Sequence, residues 1–192
     1  FSIDAGGKWK KFDPQVFPTV STKDLVIHPR ENDLVIGTFG RAAWVMDDIK
    51  FLRAVAKNPQ LLENESFLFK PPMAYLAAYQ QPTGSRFGAD ALYNGENRKY
   101  GGMFTYFFKE SKNNKNDSLT LKLFDNERQI RTLKKKVPEK TGFYRWYWRL
   151  DEKGVDLPSR SNKKIYSEPG GVKVKPGNYR VVLESKNSIS ET

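Results

Sequence analysis

Two adjacent carboxylates, Asp47 and Asp48, are the residues of this chain that first suggest catalysis. Glycoside hydrolysis uses two carboxyl groups about 5–9.5 Å apart, one of them with a raised pKa. Neighbouring residues of a strand point to opposite faces, so these two cannot readily act as such a pair. Their position predicts instead that they cap a turn or the start of a helix. We therefore assign no catalytic residue.

The single histidine, His28, offers no obvious chemistry. A metal centre or a Ser-His pair needs other ligands or a nearby nucleophile, and none is evident. The chain has no cysteine, which excludes a disulfide framework and a thiolate metal site. We expect no metal and no cofactor, and a structural role for His28 beside Pro29.

A predicted strand over residues 142–150 carries the most distinctive pair of faces. Alternation places Tyr144, Trp146, Trp148 and Leu150 on one face, which we expect to be core. The other face carries Phe143, Arg145, Tyr147 and Arg149. These four are candidate ligand-facing residues, because aromatic rings and arginines can stack on a sugar. Docking against a neighbouring part of the protein is the favoured alternative.

Positive charge is the main compositional bias, with 33 basic and 22 acidic residues and a net charge of +11. The densest clusters are Lys134–Lys136, Lys163–Lys164 and the pair Lys173 and Lys175. Nucleic acid could be bound through phosphate neutralisation, but stacking aromatics do not flank these clusters. Solvated basic loops are favoured, no nucleic acid is expected, and attraction to acidic polysaccharide stays open.

The first nine residues predict a specific turn, in the sequence Ser2-Ile3-Asp4-Ala5-Gly6-Gly7-Lys8-Trp9. A short carboxylate can accept hydrogen bonds from the amides of its own turn. Gly6 or Gly7 can adopt a positive φ cheaply. Trp9 should then open a strand over residues 9–12 and pack between sheets.

Short β-rich runs separated by turns follow, at residues 20–29, 34–38 and 42–46. They are apolar on both faces, as in a sheet that is covered on both sides. Residues 48–57 suit a short amphipathic helix that ends at Asn58-Pro59, and residues 65–70 a short strand. Residues 73–98 have no clear period and predict an extended linker.

A second β-rich series begins after residue 102. Strands are predicted near residues 103–109, 118–124, 129–133, 142–150 and 174–184, with a polar loop at 113–117. Leu119, Leu121 and Leu123 should face inward, as should Tyr179, Val181 and Leu183. The fold class is therefore all-β, with a short helix in a connector and a β-sandwich after it.

The first region resembles a known family. Ser2, Asp4, Gly6 and Trp9 match the Asp box of sialidase-like, BNR-repeat β-propellers. Residues 24–49 resemble the last blade of bacterial sortilin-like (Vps10-type) propellers, which are often labelled glycosyl hydrolases. Phe39 stands where that family often has His, and Ala42 where it often has Gly.

The second region resembles the FlgD-type immunoglobulin-like domain. The matching residues are Asp125, Ile130, Arg131, Leu133, Gly142, Trp148, Leu150, Pro176, Gly177, Tyr179 and Val181. Gly95 to Gly101 resembles the segment that leads into this domain in the propeller family. The boundaries predicted are 1–50 for one blade of an incomplete propeller, 51–97 for the connector, 98–187 for the sandwich and 188–192 for a tail.

The resemblances imply a role. The chain would be a non-catalytic, C-terminal accessory region of an exported protein, periplasmic or extracellular, whose partner is the rest of the propeller. Glycan or protein binding would be its activity. The alternative is one part of a glycoside hydrolase whose active site lies in absent blades, where sialidases use a tyrosine and an arginine cluster. Arg30 and Arg41 are the candidate ligand-facing residues here.

Length and hydropathy set the remaining bounds. The chain has 192 residues, enough for one or two domains. Its apolar content of 38% is ordinary for a globular protein. It contains no apolar run near the ~20 residues that a membrane helix needs, so we expect no membrane span.

Overall fold

The computed structural model describes residues 1–14, 17–77, 98–110, 117–156, 158, 168–186 and 188–192. These residues are mostly β, which confirms the predicted all-β class at that level. The strands are β1 (Thr22–Ile27), β2 (Leu34–Thr38), β3 (Ala43–Met46), β4 (Ser66–Leu68), β5 (Gly102–Phe108), β6 (Ser118–Asp125), β7 (Arg128–Lys136), β8 (Gly142–Trp148), β9 (Asp151–Lys153), β10 (Gly170–Lys173), β11 (Arg180–Glu184) and β12 (Ile189–Glu191).

Strands β1, β2 and β3 form an antiparallel sheet in chain order, called the first sheet below. Turns with positive φ at Asn32 and at Gly40 and Ala42 connect the strands. Val26, Val35 and Val45 lie opposite one another in the register. The predicted β2 has the bounds observed, and β1 and β3 differ by a few residues at their ends.

Helix α1 (Lys50–Lys57) confirms the predicted amphipathic helix. The Asp48 carboxylate accepts a hydrogen bond from the Lys50 amide at 3.3 Å, in the first turn where helix amides lack partners. The helix ends at Asn58, and Pro59 begins a 3-10 turn, Pro59–Glu63. Val55, at 1% exposure, anchors the apolar side of the helix.

Two further sheets enclose the main core. One has the order β4-β5-β8 and the other β12-β11-β6-β7. Alternation along β6 buries Leu119, Leu121 and Leu123 completely, as the sequence predicts. Both sheets contribute to one cluster: Leu68, Phe104, Tyr106, Phe108, Leu119, Leu121, Leu123, Ile130, Leu133, Val137, Trp146, Trp148, Leu150, Val174, Val181 and Leu183. The arrangement is a two-layer β-sandwich.

Strand β5 is buried on both faces. Its outer side places Phe107 against Val55 of α1 and Phe69, with the side chain of Ile3 packed on the same cluster. The helix and the N-terminal turn therefore cover the outer side of the β4-β5-β8 sheet. This packing connects the first region of the chain to the sandwich.

Several expectations need correction. No strand forms over residues 9–12, and Trp9 is 75% exposed instead of packed between sheets. Strand β4 lies in the predicted connector and β12 in the predicted tail, yet β4 pairs with β5 and β12 with β11. The sandwich thus extends beyond residues 98–187. The strand at 65–70 was predicted but its pairing with β5 was not, and the three-residue β12 carries too little alternation to be recognised.

Some predictions fall outside the described residues. These are most of the linker at 73–98, the start of the Gly95–Gly101 segment, most of the loop at 113–117 and the cluster Lys163–Lys164. Within the described part of the chain, no helix has the length and apolarity that crossing a membrane requires.

Candidate functional sites

The N-terminal turn is held by its own polar side chains. The Ser2 hydroxyl donates to Asp4 Oδ1 at 2.7 Å and accepts from the Gly6 amide at 2.9 Å. The Lys8 amide donates to Asp4 Oδ1 at 2.9 Å. Ala5 and Gly6 take φ of 54° and 95°. Both predicted features, carboxylate closure and a positive φ at glycine, are confirmed.

These hydrogen bonds stabilise the charged form of Asp4. The Ser2 hydroxyl, followed by the Lys8 amide, lowers the pKa of Asp4 below its ordinary value. Asp4 Oδ1 thus accepts two hydrogen bonds that close the turn.

Asp47 and Asp48 form ion pairs with different residues, but strand alternation is not the reason, because β3 ends at Met46 and neither residue lies in a strand. Asp47 pairs with Arg145 at 3.7 Å and Asp48 with Lys50 at 3.6 Å. Asp48 is 3% exposed and adopts a φ of 41°. Burial raises the pKa of Asp48, while the neighbouring Lys50 charge opposes that rise.

At the start of β8, the outer face of the strand packs against other parts of the chain. Phe143 packs on Phe51 of α1 with ring centroids 4.9 Å apart and on Phe107 at 5.6 Å. Arg145 also donates a hydrogen bond from Nη2 to the Asp47 carbonyl. Phe143 and Arg145 therefore dock against other parts of this chain, which is the alternative that the sequence favours.

Towards the end of β8, the outer face is less covered by the rest of the chain. Tyr147 is partly buried, and its hydroxyl lies 3.5 Å from the sulfur of Met103. Lys99 Nζ lies 5.2 Å from the centre of the Tyr147 ring. Arg149 is exposed, and its carbonyl accepts from Lys173 at 2.6 Å. Tyr147 and Arg149 remain accessible to a ligand.

Arg30 and Arg41 do not form a cluster. Arg30 pairs with Glu31 at 2.8 Å, and the hydrogen bond from Arg30 lowers the pKa of Glu31. Arg41 is exposed, and its carbonyl accepts from the indole of Trp44 at 2.9 Å. His28 accepts from the Glu31 amide at 3.1 Å through Nδ1, in the turn between β1 and β2. That bond fits the structural role expected for His28.

A cavity of about 670 Å³, the helix-side cavity, lies between the first sheet, α1 and β8. Its walls are mainly aromatic and include Phe17, Trp44 and Phe143. Thr105 also lines it; the hydroxyl of this 3% exposed residue has no hydrogen-bond partner among the described residues. Apolar walls of this kind suit packing by a further apolar segment.

A second cavity, of about 390 Å³, lies between the edge strands β7 and β8 and is called the seam cavity. Arg131 lines one end and is 6% exposed. It donates to the carbonyls of Glu152 and Glu168 at 2.8 Å and to that of Pro169. Its Nε lies 4.0 Å from the Asp151 carboxylate. Arg131 therefore holds the segment at 168–169 against the sandwich edge.

The seam cavity is not predictable from the sequence. Its lining residues also include Lys134, Lys135, Tyr147 and Arg149, from segments far apart in the chain. Lys134 and Lys135 were identified as a basic cluster, and Tyr147 and Arg149 as candidate ligand-facing residues. The two lysines and the two β8 residues come together only because the two sheets of the sandwich pack against each other.

No group of acidic or histidine side chains suited to a metal ion occurs among the residues that the structure describes. No family model matches the chain, and searches of curated proteins and of solved structures found no match.

Proposed function

We propose that this chain is a non-catalytic accessory region of an exported β-propeller protein. In this proposal the first sheet packs against further propeller sheets, from the same polypeptide or a partner. The sandwich is an immunoglobulin-like module attached through α1. Support comes from the resemblances of residues 2–9 and 24–49 and from the surface of the first sheet.

The exposed apolar row on the first sheet carries the proposal. Val26 is 54% and Val45 60% exposed, and Val35 lies between them in register. Leu25, on the other face of β1, is 59% exposed. Soluble monomers rarely expose a continuous apolar sheet surface without a partner. A neighbouring blade would bury such a surface, since blades stack face to face around a propeller.

The strand order of the sandwich supports the immunoglobulin-like part. Seven strands, β4, β5, β6, β7, β8, β11 and β12, can be labelled A to G in chain order. One sheet then has the order A-B-E and the other the order G-F-C-D, so that strand D lies beside strand C. Immunoglobulin-type sandwiches place A, B and E in one sheet and C, F and G in the other.

A tyrosine before the sixth of these strands adds to that support. The Tyr179 hydroxyl donates to the Lys175 carbonyl at 2.6 Å, directly before β11. A tyrosine near the start of strand F that bonds to the backbone upstream is typical of immunoglobulin-like folds. In the motif Pro176-Gly177-x-Tyr179, the tyrosine hydroxyl thus closes the turn that precedes β11.

Site-specific crosslinking in the native cells tests the docking role. A photoreactive phenylalanine at Val26 should crosslink to β-propeller segments, identified by peptide mass spectrometry. The same probe at Val155, a valine 81% exposed outside the first sheet, is the matched control. Crosslinks from Val26 to lipid, to unrelated proteins or to nothing would contradict the proposal.

A further inference from the structure

Positive charge gathers at the seam cavity. Lys134, Lys135 and Arg149 line it, and none of them forms an ion pair among the described residues. Its two lining acids are already engaged. Asp151 lies beside Arg131, and Glu168 accepts from the Thr132 amide at 2.8 Å. A ligand at this place therefore meets cations that form no ion pair with any side chain the structure describes.

The cavity also offers an aromatic wall. Tyr147 lines it; Lys99, which lies over one face of the Tyr147 ring, does not line this cavity. Its volume of about 390 Å³ is within the range of about 300–1,000 Å³ that is usual for small-ligand sites. Cations beside a ring suit a ligand that carries both negative charge and a flat, apolar sugar face.

We propose that the seam cavity binds an acidic saccharide, with carboxylates of uronic acid units paired to Lys134, Lys135 and Arg149 and a sugar ring packed on Tyr147. Charge-assisted hydrogen bonds from lysine and arginine are the strong contacts for a carboxylate. A partner of this class goes beyond the docking role of the first sheet and does not depend on it.

The local shape favours this ligand over nucleic acid. Single strands are bound along grooves that follow the backbone, with several aromatic rings that stack successive bases. The seam cavity is a single half-open space, and its second aromatic residue, Trp146, is 9% exposed and part of the main core. One accessible ring and a few clustered cations match a short run of uronic acids.

Calorimetric titration of the full chain with tetragalacturonate tests the site. We expect saturable binding that weakens as salt is added, because ion pairs at exposed positions are screened. The double variant Lys134→Gln/Lys135→Gln should bind about tenfold or more weakly, since about 1.4 kcal/mol of lost contact energy has that effect. A neutral tetrasaccharide should not bind measurably.

The control removes equal charge elsewhere. Lys109 and Lys140 are exposed on the sandwich and do not line the seam cavity. Lys109→Gln/Lys140→Gln should bind tetragalacturonate like the wild type. An equal loss in both double variants would overturn the proposal in favour of general charge attraction.

Three other results would also overturn it. One is the absence of any binding to tetragalacturonate by a folded wild-type chain. Another is displacement by inorganic phosphate at comparable concentration, which would show a simple anion site. The third is tighter binding of a single-stranded oligonucleotide that is lost in the same Lys134→Gln/Lys135→Gln variant.

Discussion

Arg145 on β8 holds Asp47 at the end of β3 by two contacts, an ion pair at 3.7 Å and a hydrogen bond from Nη2 to the Asp47 carbonyl. The two residues are 98 positions apart; Asp47 directly follows β3 of the first sheet, and Arg145 lies in the β4-β5-β8 sheet. Beside them, the ring of Phe143 packs on α1. This contact fixes the first sheet and the helix relative to the sandwich.

Replacing Arg145 should loosen that contact. We expect Arg145→Gln to lower the free energy of unfolding by about 1–2 kcal/mol, because a partly buried charged hydrogen bond is lost. Urea unfolding followed by tryptophan fluorescence measures the change. Arg149→Gln, on the same face but exposed, should stay within about 0.5 kcal/mol of wild type. Equal stability of the two variants would show that the Arg145 contact contributes nothing.

Two tyrosines close turns in the same way. The hydroxyls of Tyr144 and Tyr179 donate to the carbonyls of Lys140 and Lys175, each four residues back and each at 2.6 Å. We expect Tyr179→Phe and Tyr144→Phe each to cost about 1 kcal/mol in denaturant unfolding. Tyr147→Phe, which loses only a contact with a sulfur, is the control. A cost for Tyr147→Phe as large as for the other two would contradict this assignment.

Alternation explains why much of the sandwich could be predicted. Leu119, Leu121 and Leu123 lie at every second position, and burial of one sheet face requires that spacing. Helix α1 was predictable for a similar reason, since its apolar positions and Asn58-Pro59 mark its side and its end. The docking of Phe143 was one of two alternatives that the sequence left open.

The pairing of distant segments was not predictable. Arg131 lies on the inward side of β7, next to a register irregularity between Leu123 and Phe124 of β6. The alternation of apolar residues does not predict this irregularity. Gly101, with a φ of 118°, lies where an added Cβ would collide with the Trp148 carbonyl oxygen. The exposure of Trp9 and the seam cavity equally depend on tertiary packing. Local sequence rules carry no information on these contacts.

The buried phenol of Tyr106 should make stability fall at high pH. Burial raises the pKa of Tyr106 from 10.0 to about 12. The unfolded chain then releases this proton first, so the contribution is complete below pH ~10 and is lost as pH rises toward 12. We expect a loss of about 1.4 kcal/mol per pH unit in that window from this group.

Comparison of variants isolates the effect. Tyr106→Phe should flatten the decline of unfolding free energy between pH 10 and 11, measured by urea unfolding with circular dichroism. Tyr75→Phe, in which an exposed tyrosine is changed, should leave the decline as steep as in the wild type. An unchanged slope in Tyr106→Phe would show that this phenol is not protected from ionisation.

The N-terminal turn offers a test of the Asp4 carboxylate. Because hydrogen bonds lower the pKa of Asp4, its contribution to turn stability is present above its ordinary pKa of 3.8 and is lost as pH falls below that value. Carboxyl chemical shifts followed by NMR should titrate Asp4 below its ordinary midpoint. Ser2→Ala should move the midpoint upward, since the Ser2 hydroxyl is the main cause of the shift. Ser21→Ala, which leaves the turn intact, should not move it, and an Asp4 midpoint unaffected by Ser2→Ala would refute the hydrogen-bonded turn.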